Sequence, residues 1–143
     1  MFDIARRLRL ATTAAMSILS LGSAAAFAGD DAEDVAKAVY RVVEKACPED
    51  GDGVPYNLAS IADAHFSPAL RSALQRAYER RAIDFDILID GQDCAIEDID
   101  LDVDDEDEDR GHAVARAEFR NFGEPRDIEL ELVRVGSQWK VED

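Results

Sequence analysis

The chain has 143 residues, of which 32 are acidic and 16 are basic, giving a formal net charge of −16 at pH 7. This length suits one domain with a modest hydrophobic core and excludes a large multidomain enzyme. The negative charge repels nucleic acid and anionic lipid, so any tightly bound partner is expected to be neutral or cationic. We therefore predict no nucleic-acid partner.

Residues 1–28 have the pattern of a secretory signal peptide. Three arginines precede an uncharged, largely apolar stretch at residues 10–21, and residues 26–28 (AFA) form a small-x-small cleavage site. A membrane anchor is the alternative, but the stretch is rich in Ala, Thr and Ser, and no basic stop-transfer cluster follows it. We predict cleavage, a mature domain of residues 29–143, a periplasmic or secreted location, and no stable membrane insertion.

The chain has two cysteines, Cys47 and Cys94. In an oxidising compartment an isolated pair is usually joined, so the predicted export favours a disulfide between them. Two buried free thiols are the alternative.

Three amphipathic helices are predicted in the first half of the mature domain. The first is capped by an aspartate at position 30 or 31 and stops at Pro48. Asn57 caps a short second helix that ends near Ala64, and the pair Ser67-Pro68 starts the third. Each helix needs an apolar surface to cover. The apolar positions expected to share a face in the first and third helices are Val35, Val39, Val42, Ala46, Leu70, Ala73, Leu74 and Ala77.

The second half has the alternation of an antiparallel sheet. Residues 84–109 contain 14 acids and no Lys or Arg, yet apolar residues alternate with acids there, as in a half-buried strand with an acidic outer face. Arg116 and Arg120 are expected across the sheet from this acidic row, and residues 123–125 predict a chain reversal. The predicted fold is α+β, with three N-terminal helices packed on a curved antiparallel meander. Its strands are predicted at residues 95–104, 112–121, 126–135 and 138–141.

Two short motifs, residues 84–93 (DFDILIDGQD) and residues 139–143 (WKVED), carry a family resemblance. Together with the order of helices and strands, they resemble the secreted bacterial proteins of domain-of-unknown-function family 3828, within the nuclear-transport-factor-2-like (cystatin-like α+β) superfamily. The resemblance implies the fold, export, and a concave pocket between helices and sheet, and it supplies no catalytic residues. The residues expected at this pocket are Tyr40, Tyr78, Phe85 and Trp139.

The acidic residues invite a cation site, but their spacing does not fit one. Asp100, Asp102 and Asp104 mimic the opening of a calcium loop, whereas Asp105 stands where the turn needs glycine and Gly111 where the bidentate glutamate belongs. The histidines and cysteines lack zinc spacing, and no cofactor motif is present. We predict no metal site and no cofactor, with an acidic cation-associating domain as an alternative.

An enzyme is the other alternative. Isomerase-like members of the superfamily use a pocket carboxylate as base and a tyrosine as oxyanion donor. The sequence has no nucleophile elbow, phosphate loop or recognisable triad, so we assign no catalytic residues. We predict a non-enzymatic exported domain that binds an envelope protein or a small ligand, with a small-molecule pocket protein or isomerase-like enzyme as the alternative. The candidates for isomerase-like chemistry are Tyr40, Tyr56 and Tyr78 with Asp63, Asp84 or Asp86.

Overall fold

The computed structural model describes residues 31–50, 56–104 and 107–143; the predicted signal peptide lies outside them. The described residues form three helices followed by four strands, in the order that the sequence predicts for an α+β fold. The strands make one antiparallel sheet in which chain order and spatial order agree. The architecture is therefore α+β with an open four-stranded meander.

Helix α1 (Ala32–Ala46) begins where the Asp31 carboxylate accepts a hydrogen bond of 2.7 Å from the Asp34 amide. Its buried face differs from the prediction, because Val42 is 38% exposed. Val42 lies about 90° of helical rotation from the centre of the buried face, on a helix of 3.6 residues per turn. That face includes a tyrosine that the predicted apolar set omitted. Its members are Val35, Ala36, Val39, Tyr40 and Val43.

Helices α2 (Leu58–His65) and α3 (Pro68–Glu79) begin at the predicted caps, Asn57 and Ser67. The buried Ser67 hydroxyl accepts a hydrogen bond of 3.0 Å from the Leu70 amide. Among the residues of α3, Leu70 is the buried one, while Leu74 on the predicted apolar side is only half-buried. Helix α3 therefore leaves part of its apolar side uncovered, and this creates one wall of the groove described below.

The sheet consists of β1 (Ile96–Asp104), β2 (His112–Asn121), β3 (Glu124–Val135) and β4 (Gln138–Val141). A short 3-10 turn, Glu108–Arg110, lies between β1 and β2. Helix α1 packs against the sheet. Three buried alanines on β2 present only small side chains on the sheet surface beneath it. These small side chains explain how a short helix can lie close to the strands. They are Ala113, Ala115 and Ala117.

The turn between β2 and β3 is tighter than predicted. We expected a reversal at residues 123–125, whereas the two-residue turn consists of Phe122 and Gly123, both with positive φ (52° and 77°). Such values are typical of a type I′ hairpin. Pro125 consequently lies inside β3, opposite Arg120. Proline is tolerated there because β4 pairs only with the far end of β3, so the position without an N–H lies at an edge.

Strand β1 contains a β-bulge that shifts the alternation of its inward-facing and outward-facing residues. The register with β2 shifts between Glu97 and Asp100, and Asp98 has a φ of 56°. A bulge places one extra residue on one strand, so the inward and outward positions exchange. Ile96 and Ile99, three residues apart, can therefore both contact the core.

Trp139 is the largest fully buried side chain, with 2% of its surface exposed, and the Arg134 guanidinium lies 5.1 Å from the centroid of its ring. Truncation would remove this ring from the centre of the core. We expect Trp139→Ala to lower the free energy of unfolding by about 3–5 kcal/mol, measured by urea denaturation. The neighbouring exposed Gln138→Ala should change it little. A loss in the tryptophan variant no larger than in this control would show that the ring does not support the core.

Candidate functional site

A disulfide joins Cys47, the cap residue after α1, to Cys94, just before β1, with the two Cα atoms 5.3 Å apart. The cysteine pair is therefore bonded, as predicted from export and from the presence of a single pair. A backbone hydrogen bond of 2.9 Å from the Ile96 amide to the Cys47 carbonyl reinforces the connection. The segment that precedes β1 is thus fixed to the end of α1.

We call residues 84–94, between α3 and β1, the wall segment. It folds back on itself around Asp86, whose amide donates to the Gly91 carbonyl at 2.8 Å. The Asp86 carboxylate also accepts from the Leu88 amide at 2.8 Å. A short polar side chain that bonds its own backbone two residues ahead is a common way to stabilise a turn. Leu88 and Ile89 are buried, so the segment is anchored in the core.

Asn121, at the end of β2, ties the wall segment to the sheet. Its buried side-chain oxygen accepts a hydrogen bond of 3.0 Å from the Ala95 amide, and its nitrogen donates to the Asp93 carbonyl at 3.1 Å. A Cβ on Gly91 would lie 3.1 Å from the Asn121 side-chain nitrogen and 3.3 Å from the Asp93 carbonyl oxygen, so a larger residue there would need a neighbouring atom to shift. We did not predict this role. The signal was present, since position 121 continues the inward alternation of β2 through Phe119 and a polar residue there needs partners.

Three tyrosines hold the wall segment from the helical side. The Tyr40 hydroxyl donates to the Leu88 carbonyl at 3.3 Å, and the Tyr78 hydroxyl donates to the Phe85 carbonyl at 2.8 Å. The Tyr56 hydroxyl donates to the Asp86 carboxylate. Burial is the main cause that raises the pKa of each tyrosine above its ordinary value, and the negative charge of Asp86 raises it further. All three phenols are therefore held in the protonated form that these bonds require.

A groove of about 700 Å³ lies between α2, α3 and the wall segment. Its apolar lining comes from all three elements. The apolar lining residues are Leu58, Ala59, Ala62, Leu74 and Phe85. Leu58 and Leu74 also pack against the core and are only half-buried, so part of their apolar surface faces the groove.

The polar lining of the groove includes two glutamines, Gln75 and Gln92, and its charged residues are mainly acidic. Arg71 lines it and pairs with Asp63, with 3.1 Å between the nitrogen and the oxygen. Asp84 and Asp86 line it on the side of the wall segment. The aromatic ring of Tyr78, 37% exposed, lies among them. The groove therefore combines apolar surface with carboxylates and aromatic rings.

Two of the four residues expected at the pocket, Tyr78 and Phe85, line this groove together. Tyr40 and Trp139 are buried in the core instead, 3% and 2% exposed, and neither lines the groove. Tyr40 lies on the buried face of α1, where its ring is 6.2 Å from that of Phe119 and its hydroxyl donates to the Leu88 carbonyl. Among the alternative candidates, Tyr56 supports the wall segment through Asp86.

The outer face of the sheet is charged, and a smaller cavity of about 360 Å³ there is lined by residues of β1, β2 and β3 that include Asp98, Glu118 and Arg120. Arg116 faces Asp102 of β1 in register, as expected, yet its ion pairs are with Asp127 and Glu129 of β3, at 3.7 Å and 2.9 Å. Within residues 31–50, 56–104 and 107–143, no group of three or more His, Cys, Asp or Glu residues is arranged to hold a metal ion. Asp105, part of the acidic run considered for calcium, lies outside the described residues.

Comparison of the chain with protein-family models, with curated proteins and with solved structures gives no match. The site must therefore be interpreted from its own geometry.

The raised tyrosine pKa values predict how stability depends on alkaline pH. Tyrosine is neutral when protonated, so a folded-state pKa above the unfolded value of about 10 stabilises the fold below that pH. This contribution is lost as the pH rises from the unfolded pKa through the folded one. We expect ultraviolet titration of the folded protein to show phenolate at higher pH than the urea-unfolded chain. Tyr78→Phe should remove the phenolate signal that forms at the lowest pH in the folded protein. Coincident titration curves for the folded and unfolded protein would contradict the raised tyrosine pKa values.

Proposed function

We propose that this protein is an exported, non-enzymatic domain that binds a small ligand in the groove between α2, α3 and the wall segment. The supporting observation is the groove itself, about 700 Å³ in volume, with an apolar lining and a few polar groups. Small-molecule sites in proteins typically have volumes of about 300–1,000 Å³ and this mixture of surfaces. Its size favours a small ligand over the envelope protein that the sequence left open as a partner.

The wall segment is formed before any ligand arrives. The disulfide at Cys94, the Asn121 side chain and the tyrosine hydroxyls fix it without any contribution from a bound molecule. A preformed site loses little conformational entropy on binding, so more of the contact energy remains as affinity. This supports a binding role for the groove.

The hydrogen bonds favour binding over isomerase-like catalysis. Each phenol has one proton, and those of Tyr40, Tyr56 and Tyr78 are donated within the protein. The two oxygens of Asp86 accept from Tyr56 and from the Leu88 amide. A catalytic base or oxyanion donor must instead aim at the reacting atoms of a substrate. The hydrogen bonds of these tyrosines and of Asp86 are instead made to or within the wall segment.

Export is part of the same proposal. It is supported by the signal-peptide pattern of residues 1–28 and by the disulfide, since disulfides persist in oxidising compartments. Within the part of the chain that the structure describes, no helix has the length and apolar character needed to cross a bilayer. We also retain, as part of the proposal, the relationship to family 3828 and to the nuclear-transport-factor-2-like superfamily, which rests on the sequence motifs.

A groove-filling substitution tests this function. Ala59 is exposed and lines the groove, so Ala59→Trp should place an indole inside it without disturbing the core. The matched control is Ala73→Trp, on an exposed position of α3 that does not line the groove. The neutral fluorophore N-phenyl-1-naphthylamine should bind saturably to the original protein and to the control, and weakly or not at all to Ala59→Trp. Absence of saturable binding to the original protein, or equal loss in both variants, would refute the proposed function.

A further inference from the structure

Resting on the proposed function, we infer that the ligand is a small organic cation, with its positive group at the wall segment and its apolar body against α2 and α3. The inference comes from three features of the groove: its unbalanced charge, its two aromatic residues, and the apolar surface that α2 and α3 contribute.

The first feature is the charge balance. Three carboxylates line the groove, those of Asp63, Asp84 and Asp86, against one basic residue, Arg71. Arg71 pairs with Asp63, so the charge of these two cancels. Asp84 and Asp86 are left on the side of the wall segment. The groove therefore presents a net negative end, and the acidic chain as a whole attracts cations and repels anions.

The second feature is a pair of aromatic rings beside those carboxylates. Tyr78 and Phe85 both line the groove, and the Tyr78 hydroxyl donates to the Phe85 backbone carbonyl at 2.8 Å. Phe85 lies between Asp84 and Asp86 in sequence. Aromatic faces attract ammonium groups, and sites for quaternary ammonium ligands combine such faces in a cage.

The third feature is the apolar surface opposite. Leu58 on α2 and Leu74 on α3 line the groove and are only half-buried in the protein itself. A ligand body laid against them would remove this apolar surface from water, which is favourable in proportion to the area covered. A bare metal ion would leave this surface exposed. The arrangement therefore suits an amphipathic organic cation.

Three probes with one body and different end groups test the inference by titration calorimetry. They are 4-phenylbutyltrimethylammonium, 4-phenylbutan-1-ol and 4-phenylbutyrate. We expect the ammonium probe to bind about tenfold more tightly than the alcohol, from the ring and carboxylate contacts together. The carboxylate probe should bind most weakly. The preference for the ammonium probe should shrink in about 0.5 M salt, because salt screens exposed charges.

Two matched variants locate the positive group. Asp84 is exposed, so Asp84→Asn should leave the fold intact and should weaken binding of the ammonium probe about threefold or more relative to binding of the alcohol. Asp93→Asn, an equally exposed acid of the wall segment that does not line the groove, should change neither affinity. Circular dichroism of both variants confirms that they fold.

The outcomes separate the inference from the function on which it rests. Equal binding of the ammonium probe and the alcohol would overturn the inference and leave a ligand-binding groove. Tightest binding of the carboxylate probe would also overturn it, and would point to Arg71, whose Nε has no hydrogen-bond partner among the described residues. Equal weakening by Asp84→Asn and Asp93→Asn would show that the preference for the ammonium probe arises from the overall negative charge. It would refute the position assigned to the positive group. Failure of all three probes to bind would refute the proposed function as well.

Discussion

The disulfide between Cys47 and Cys94 is the constraint on which the site depends. It spans 47 positions of sequence and connects the end of α1 to the segment that precedes the sheet. In the chain-entropy model, closing a loop of this size stabilises the fold by about 4 kcal/mol. The backbone bond from Ile96 to Cys47 lies beside it, so a covalent and a hydrogen-bonded connection coincide. Together they fix where β1 begins and where the wall segment ends.

The wall segment has little regular secondary structure, so its polar backbone groups need partners from elsewhere. Asn121 supplies them from the sheet, and tyrosine hydroxyls supply them from the helical side. The same contacts leave Asp84 and the Phe85 ring at the groove. Stability and the proposed binding role therefore depend on the same side chains.

Much of the fold was predictable because local signals agreed with the final packing. Caps such as Asn57 and Ser67 began helices where expected, and alternation placed four strands. The errors arose where tertiary contacts, and not the local pattern, determine which residues are buried. On α1, Tyr40 takes the buried position instead of Val42. The groove was harder to predict, because the amphipathic pattern of α3 is the same whether Leu74 packs on a sheet or borders open space. The groove depends on how α2, α3 and the wall segment come together in the fold, which no local pattern encodes.

We expect the wall segment to be rigid before any ligand binds. Amide hydrogen exchange, followed by nuclear magnetic resonance, measures this rigidity. The informative amides are those of Leu88 and Ala95, which donate to the side chains of Asp86 and Asn121. In the oxidised, ligand-free protein, we expect both amides to exchange slowly, at rates comparable with those of the amides in the central β2–β3 ladder. Fast exchange at both amides, with the ladder still protected, would contradict it.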